Sequence, residues 1–208
     1  MFIVKIHKSV LLTYLGVVFG LLSAYFAFTK MAFSEISYLR FSLIFLMLSG
    51  ICDMFDGKVA RMCKRTKEEK EFGIQIDSLA DTVNFVFLPV VILLSLGFNS
   101  VIELIVYILF VLCGISRLGY FNVHASLDNP VAFYNGLPVT ATAIIYPVFG
   151  LLHGHITEPT FEIIYVGLTL LIAILFVIKI KVPKLKGIAY IVIPLIAILL
   201  AVLLMVIK

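Results

Sequence analysis

The chain has 208 residues, of which 62% are hydrophobic and only 13% are charged, with a mean hydropathy of +1.18 and a formal net charge of +4. Charged residues make up about a quarter of an ordinary soluble domain, so this composition excludes that class of protein. The sequence therefore predicts an integral membrane protein.

The apolar stretches predict an all-α fold. A spanning helix needs about 20 mainly apolar residues, so this length predicts a bundle of about six to seven transmembrane helices. We expect residues 1–208 to form a single domain. In chain order, the predicted spans lie near residues 9–29, 36–55, 76–97, 100–122, 137–153, 160–178 and 187–207.

The basic residues indicate how the bundle is oriented. Seven spans would leave the two termini on opposite sides of the membrane. With the N-terminus inside, 13 of the 16 basic residues would fall on the inner side, and only Lys30, Arg40 and Lys208 would fall outside. This distribution follows the positive-inside rule. We therefore expect a multi-pass protein whose segment 53–81 faces the cytoplasm.

That segment, DMFDGKVARMCKRTKEEKEFGIQIDSLAD, places four aspartates beside two apolar stretches. Asp53 and Asp56 are three residues apart and Asp77 and Asp81 are four apart, so each pair lies on one face of a helix. A charged loop over about 62–72 would join the two helices and keep them adjacent and antiparallel. The spacing predicts that the four carboxylates meet in one cavity.

Such a cluster cannot remain ionised by itself. Like charges about 4 Å apart repel by roughly 4 kcal/mol even at an effective dielectric constant of about 20, so the carboxylates must take up protons or bind cations. Oxygen ligands without sulfur or histidine favour Mg²⁺ or Mn²⁺. The plainer alternative is that acidic residues only solvate a helix end, and we favour it for Glu68, Glu69 and Glu71. Membrane-edge acids that share a face favour a functional role.

Small residues and an arginine accompany the aspartates. Gly57 and Gly73 carry no side chain, so a ligand can approach the backbone closely. Ala60 leaves room on the face that carries Asp56. Arg61 offers a fixed fork of donors to a phosphate. The pattern therefore indicates a phosphate ligand beside the carboxylates.

The pattern D-x2-D-G-x2-A-R, a spacer of eleven residues and G-x3-D-x3-D resembles the signature of the CDP-alcohol phosphatidyltransferases. The spacer is longer than is usual in that family. In the first predicted span, Thr13 stands where the family often has a polar residue. The matching motif positions are Asp53, Asp56, Gly57, Ala60, Arg61, Gly73, Asp77 and Asp81.

The resemblance implies a catalytic motif over 53–81 with two divalent metal ions, Mg²⁺ or Mn²⁺. Asp53, Asp56 and Asp77 would bind the metals that grip the diphosphate of a CDP-linked lipid. Asp81 would complete the metal shell and act as the general base on the acceptor hydroxyl, and CMP would leave. The residues implied in nucleotide and diphosphate binding are Gly57, Ala60, Arg61, Gly73 and Thr13.

Three later segments are similar to those of type II phosphatidylserine synthases: SRLGYFNV (116–123), YNGLP (134–138) and KIKVPK (179–184). This likeness implies L-serine as the acceptor. Arg117 would bind the serine carboxylate, with Asn122 and Asn135 as polar partners. An anchor at the membrane interface for Arg117 and a cap or turn role for the asparagines remain open alternatives.

The partners implied by the resemblance are CDP-diacylglycerol or CDP-archaeol as donor, L-serine, membrane lipids and a second copy of the chain in a homodimer. We expect no nucleic-acid partner.

Glycerol phosphate or inositol phosphate as the acceptor would call for additional arginines in the pocket, and the chain has only four. A membrane prenyltransferase would carry two Asp-rich motifs far apart in the chain. A divalent-cation transporter would place acidic residues along both halves of the bilayer.

Overall fold

The computed structural model describes residues 7–33, 36–125, 133–183 and 187–206. Within these ranges the protein is a bundle of helices with one two-stranded ribbon. The helices are α1 (Leu11–Phe33), α2 (Ile36–Met62), α3 (Lys67–Asp81), α4 (Leu88–Ser95), α5 (Val101–Ala125), α6 (Thr142–Gly150), α7 (Glu158–Val177) and α8 (Ala189–Val206), and the strands are β1 (Phe133–Asn135) and β2 (Lys181–Pro183). Short 3₁₀ turns, Lys8–Val10 and Val139–Ala141, precede α1 and α6.

Among the described residues, six helical stretches are long and apolar enough to cross a membrane, which confirms the predicted transmembrane bundle. They are Lys8–Phe33, Ile36–Met62, Lys67–Ser95, Val101–Val123, Glu158–Val177 and Ala189–Val206. The predicted span 137–153 is instead a shorter helix, Val139–Gly150. At 1.5 Å per residue it is about 18 Å long, against about 30 Å of hydrocarbon. It ends where α2 begins, since Gly150 and Arg40 line the same small pocket.

Helix α1 lies against α2 through a face of small side chains. Its buried residues recur every three or four positions and are Thr13, Gly16, Gly20, Ser23 and Ala27. Gly16 faces Cys52 and Ser49 of α2, whereas Gly20 faces Asn84 in residues 82–87. Because none of these α1 residues is bulky, neighbouring helices can approach closely, as small residues allow in membrane bundles. Between the helices, the Ser23 hydroxyl donates a hydrogen bond of 2.7 Å to the Ser42 carbonyl. This packing holds Thr13 of α1 beside Asp56 of α2.

The connection between α2 and α3 is shorter than the sequence predicted. Helix α2 continues to Met62 and α3 begins at Lys67, so the predicted loop over 62–72 is wrong and only residues 63–66 join the helices. A capping box explains the early start of α3. The Thr66 hydroxyl accepts from the Glu69 N–H at 3.2 Å, and the Glu69 carboxylate accepts from the Thr66 N–H at 2.8 Å. Glu69 therefore caps a helix and does more than solvate the surface.

Helix α3 passes into α4 through a π-helical segment, Thr82–Phe87, that starts directly after Asp81. A π turn bonds residue i to i+5, which widens the helix, and such turns occur often at functional sites. The Thr142 hydroxyl of α6 donates a hydrogen bond of 3.2 Å to the Phe85 carbonyl in this segment. This hydrogen bond joins the π-helical segment to α6.

The ribbon joins the start of α6 to the end of α7. Strand β1 pairs antiparallel with β2, with Tyr134 opposite Val182. Gly136 follows β1 with φ of +81°, a left-handed conformation that favours glycine. Its N–H donates to the Ile180 carbonyl at 2.8 Å. The YNGLP segment therefore turns the chain from the ribbon into α6.

Paired tyrosines form the centre of the core between α6 and α7. Tyr146 and Tyr165 are fully buried, with ring centroids 5.6 Å apart in an edge-to-face arrangement. The Tyr165 hydroxyl donates to the Tyr146 carbonyl, and the Tyr146 hydroxyl lies 2.9 Å from that of Thr169. Each buried hydroxyl thus has a partner, which an apolar environment demands.

Helices α2 and α6 pack so closely at Gly50 that a larger residue there should destabilise the protein. A Cβ added at Gly50 would lie 2.6 Å from the Cβ of Ala143, and both atoms are fixed to helix backbones. We expect Gly50→Ala to destabilise the protein by about 1–3 kcal/mol, the usual cost of overpacking, and to lower the midpoint of thermal unfolding in detergent.

Gly167→Ala in α7 is the matched control, because nothing lies within 4 Å of the added Cβ. Its unfolding midpoint should be unchanged or slightly higher, since alanine favours a helix over glycine. Equal midpoints for the two variants would contradict the close contact.

Candidate active site

The predicted meeting of the aspartates occurs at the end of the bundle where α2 turns into α3. One carboxylate oxygen from each of Asp53, Asp56 and Asp77 lies within 4.8 Å of the other two. The carboxyl groups lie in two pairs, Asp56 beside Asp77 and Asp53 beside Asp81. These pairs are the ones that an antiparallel arrangement of the two helices brings opposite each other. The spacing of the aspartates along the two helices therefore accounts for the cluster.

Asp81 occupies a distinct place in this cluster. It is the last residue of α3 and the residue before the π segment. It contacts Asp53, whereas the group of three that could hold one ion consists of Asp53, Asp56 and Asp77. Because α2 runs toward the connection and α3 runs away from it, the Asp53–Asp81 pair lies about one helical turn farther from the connection than the Asp56–Asp77 pair.

Helix α1 contributes a hydrogen-bond donor to the cluster. The Thr13 hydroxyl donates a bond of 2.7 Å to Oδ2 of Asp56, and both residues are buried. A hydrogen bond to an ionised acceptor is roughly twice as strong as one between neutral groups. Thr13 was predicted as a nucleotide-binding residue; it lines the neighbouring cavity, and its hydroxyl also orients Asp56.

The donor set suits a divalent cation. The nearest ligand atoms are carboxylate oxygens only, and their separation of no more than 4.8 Å is close to that of oxygens sharing one hard cation. Sulfur ligands are absent from this group, which favours Mg²⁺ or Mn²⁺ over softer metals. Without a cation, some of these neighbouring carboxyl groups would have to be protonated, because their mutual repulsion is large. The residues of the cluster therefore fit a metal ion.

A cavity of about 190 Å³ opens beside the cluster, between α1, α2 and α3. Thr13, Asp56 and Asp77 line it. The residues predicted to admit the nucleotide also line it, namely Gly57, Ala60, Arg61 and Gly73. A Cβ at Gly57 would meet only the Arg61 guanidinium, at 3.7 Å. This glycine thus keeps space open for a ligand and does not relieve a clash with another helix.

Arg117 of α5 reaches the far side of the same cluster. It is only 7% exposed, and it is close enough to Asp53 to interact with its charge. Its guanidinium carbon lies 4.5 Å from the centre of the Phe121 ring. The alternative of an interface anchor, in which the head group would extend into water, does not fit this burial.

The two asparagines predicted beside Arg117 lie in different surroundings. Asn122, in the last part of α5, accepts a hydrogen bond of 2.8 Å from the Ser78 hydroxyl of α3. It thereby holds α5 against the helix that carries Asp77. Asn135 lies in β1 with its Cα opposite that of Lys181, and its side chain is outside the described part of the protein.

Two features of the site escaped the sequence analysis. Arg65 and Ser9 line the cavity although neither belongs to the motif. Arg65 follows Arg61 by four residues, which is a helical spacing, but the end of α2 at Met62 could not be predicted from the pattern. The T-x-x-E sequence from Thr66 to Glu69 was the available signal for the start of α3.

Comparison with known proteins agrees with this geometry. The family model described as CDP-alcohol phosphatidyltransferase matches residues 7–207 of the chain. The match therefore includes the helices that carry the aspartates, the cavity and Arg117.

Several relatives carry names that specify a reaction. The chain is 34% identical over 149 residues to the CDP-diacylglycerol–serine O-phosphatidyltransferase of Helicobacter pylori (strain J99), an alignment that covers 70% of this chain and 61% of the relative. For the enzyme of the same name from Saccharomyces cerevisiae, the identity is 35% over 127 residues, with 53% and 45% covered. For the archaetidylserine synthase of Methanothermobacter thermautotrophicus it is 31% over 150 residues, with 72% and 60% covered. The aligned part of the chain thus spans between 45% and 61% of these three relatives.

The hydrogen bond from Thr13 to Asp56 gives a test of the metal site. Thr13→Val keeps the shape of the side chain but removes the donor, so we expect Mn²⁺ to bind the purified protein about tenfold more weakly, as for other residues that orient a metal ligand. Titration with Mn²⁺ monitored by electron paramagnetic resonance measures the affinity.

Thr13→Ser is the control, because serine retains the hydroxyl and should bind Mn²⁺ with nearly unchanged affinity. Identical affinities for Thr13→Val and the unaltered protein would mean that Thr13 does not support a ligand.

Proposed function

Because the chain belongs to the CDP-alcohol phosphatidyltransferase family, we propose that it transfers a phosphatidyl or archaetidyl group from a CDP-linked lipid to the hydroxyl of L-serine. The observation that carries this proposal is the group of three carboxylate oxygens within 4.8 Å of one another, beside a cavity of about 190 Å³. The serine-specific names of the relatives support the acceptor. In this proposal residues 1–208 act as one catalytic domain.

The metal ligands of the proposed enzyme are Asp53, Asp56, Asp77 and Asp81, and the site takes two divalent ions, Mg²⁺ or Mn²⁺. When bound, such ions neutralise the diphosphate and stabilise charge that develops during phosphoryl transfer. Thr13 fixes the orientation of Asp56 through its hydrogen bond. Arg61 adds a donor fork for the phosphates, and Gly57, Ala60 and Gly73 leave the space that the cytidine needs.

Asp81 is the proposed general base. It lies on the side of the cluster away from the α2–α3 connection and contacts Asp53. It would accept the proton of the serine hydroxyl, whose oxygen then forms a bond to the lipid-bearing phosphorus. The bond from that phosphorus to the bridging oxygen of the diphosphate breaks, and CMP leaves with the electron pair. The products are phosphatidylserine, or its ether-linked counterpart, and CMP.

Arg117 is the proposed partner of the serine carboxylate. A guanidinium binds a carboxylate through two parallel hydrogen bonds. Its position near Asp53 would bring the hydroxyl of a bound serine toward the carboxyl cluster. Asn122 and Asn135 are proposed as further polar contacts, with Asn122 held through Ser78.

The protein is a multi-pass membrane protein by the length and composition of its helices. We propose that the acidic end faces the cytoplasm, because that orientation places most basic residues inside. We also propose that the active form is a homodimer surrounded by lipid, as the family likeness implies. Exposed apolar side chains on α1, α5 and α8 provide the surface for lipid contact.

The proposed reaction can be tested with the purified protein in detergent, CDP-diacylglycerol and a panel of alcohols. We expect release of CMP that requires both a divalent metal and L-serine, and a lipid product with the mass of phosphatidylserine. Glycerol phosphate and inositol phosphate are the alternative acceptors in the panel. Turnover with one of these and not with serine would contradict the proposed acceptor.

Asp77 gives the sharpest test of the cluster. We expect Asp77→Ala to lower the rate of transfer by more than about a hundredfold, because loss of a metal ligand should cost more than loss of an outer partner, which costs about 10- to 100-fold. CMP release under saturating substrates measures the rate. Glu71→Ala is the control, since Glu71 is an exposed carboxylate on the same helix, and it should retain full activity.

Arg117 gives a test of the serine pocket. We expect Arg117→Ala to raise the KM for serine by about 10- to 100-fold, in line with the loss of a charged hydrogen bond, with a much smaller change in the KM for CDP-diacylglycerol. Steady-state kinetics with each substrate varied in turn measure both constants. An effect confined to the lipid substrate or to the metal requirement would contradict the assignment of Arg117 to serine.

A further inference from the structure

Arg65 lies outside the motif, yet the structure turns its side chain into the cavity beside the cluster. It stands in the short connection 63–66, directly before the capping residue Thr66. The Thr66–Glu69 capping box fixes the backbone at this point, and Glu69 also lies near the Arg65 charge. The position of Arg65 is therefore set by the start of α3.

The Arg65 side chain is partly buried and poised for a ligand. Its Nε is buried and finds no hydrogen-bond partner among the residues that the structure describes. Its Nη1 lies 3.5 Å from the point where a Cβ at Gly73 would be. The guanidinium therefore lies beside the backbone of α3 at Gly73. Because a buried donor without a partner is costly, a ligand that brings acceptors to this guanidinium would stabilise the site.

The cavity is lined by two chemically different groups. Asp56, Asp77 and Thr13 belong to the carboxyl cluster, whereas Arg65 lies beside Gly73, one helical turn before Asp77. Gly73 precedes Asp77 by four residues, so the two groups are about 6 Å apart along α3. If the diphosphate of a CDP-lipid is held at the carboxyl cluster, its nucleoside extends toward Arg65. This step depends on the proposed function.

We propose that Arg65 recognises the cytosine base of the CDP group. A guanidinium presents two parallel N–H donors, and cytosine presents two adjacent acceptors, O2 and N3. In uracil N3 carries a hydrogen, so the same pair of acceptors is missing. Arg65 is therefore a specificity-determining residue that favours cytidine over uridine nucleotides.

Equilibrium binding of CMP and UMP to the purified full chain with Mg²⁺ tests this proposal without a need for turnover. We expect the unaltered protein to bind CMP more tightly than UMP. Arg65→Gln should weaken CMP binding about tenfold, the scale of one bidentate contact to a base, and should leave UMP binding nearly unchanged. Arg65→Lys should fail to restore the preference, because an ammonium group lacks the planar fork.

Lys64→Gln is the matched control. Lys64 precedes Arg65 and carries the same charge, but its side chain is exposed and does not line the cavity. It should keep the preference for CMP. An unchanged ratio of CMP to UMP affinity in Arg65→Gln would overturn the proposal. An equal loss of affinity for both nucleotides would also overturn it, since that result would indicate a phosphate contact.

The outcomes separate this inference from the proposed function. Arg65-dependent preference for CMP without transfer to serine would contradict the acceptor and support the role of Arg65. Transfer to serine with an unaltered nucleotide preference in Arg65→Gln would support the reaction and overturn the role of Arg65. Failure of the unaltered protein to bind CMP would contradict both.

Discussion

Repulsion among carboxyl groups is the constraint on which the motif end of this bundle depends. Two helices bring Asp53 opposite Asp81 and Asp56 opposite Asp77 within the bundle. Such an arrangement is stable only when donors and cations compensate the negative charge. Thr13 supplies a donor from α1, and Arg117 supplies a positive charge from α5. A divalent ion bound by these carboxylates would compensate the remaining negative charge.

The rest of the fold can be understood as a frame that holds this unfavourable cluster together. Small residues on α1 allow close approach to α2, which brings the hydroxyl of Thr13 to Asp56. A short connection with a capping box keeps α2 and α3 adjacent. Ser78 and Asn122 link α3 to α5. Each of these contacts joins a helix of the cluster to a neighbour, so the aspartates cannot separate without breaking several of them.

Local spacing predicted the parts of the structure that local geometry determines. Steps of three and four residues placed the aspartates on helical faces, and hydropathy located the helices that could span a membrane. Tertiary contacts, such as the hydrogen bond between Thr142 and Phe85 across 57 residues of sequence, are not revealed by any periodicity. The position of Arg65 in the cavity depends on the short connection 63–66, which the sequence did not predict.

The antiparallel pairing also gives the site a direction. Along α2, the order from the connection inward is Arg61, Asp56 and Asp53, so positive side chains lie nearest the connection and the Asp53–Asp81 pair lies deepest. The acyl or isoprenoid chains of a lipid substrate must stay in the apolar phase, while its nucleotide is polar. For the proposed CDP-linked lipid, one orientation satisfies both demands: the nucleoside toward the connection and the lipid-bearing phosphate toward the deep pair. The proposed general base then stands on the side from which the acceptor hydroxyl has to approach.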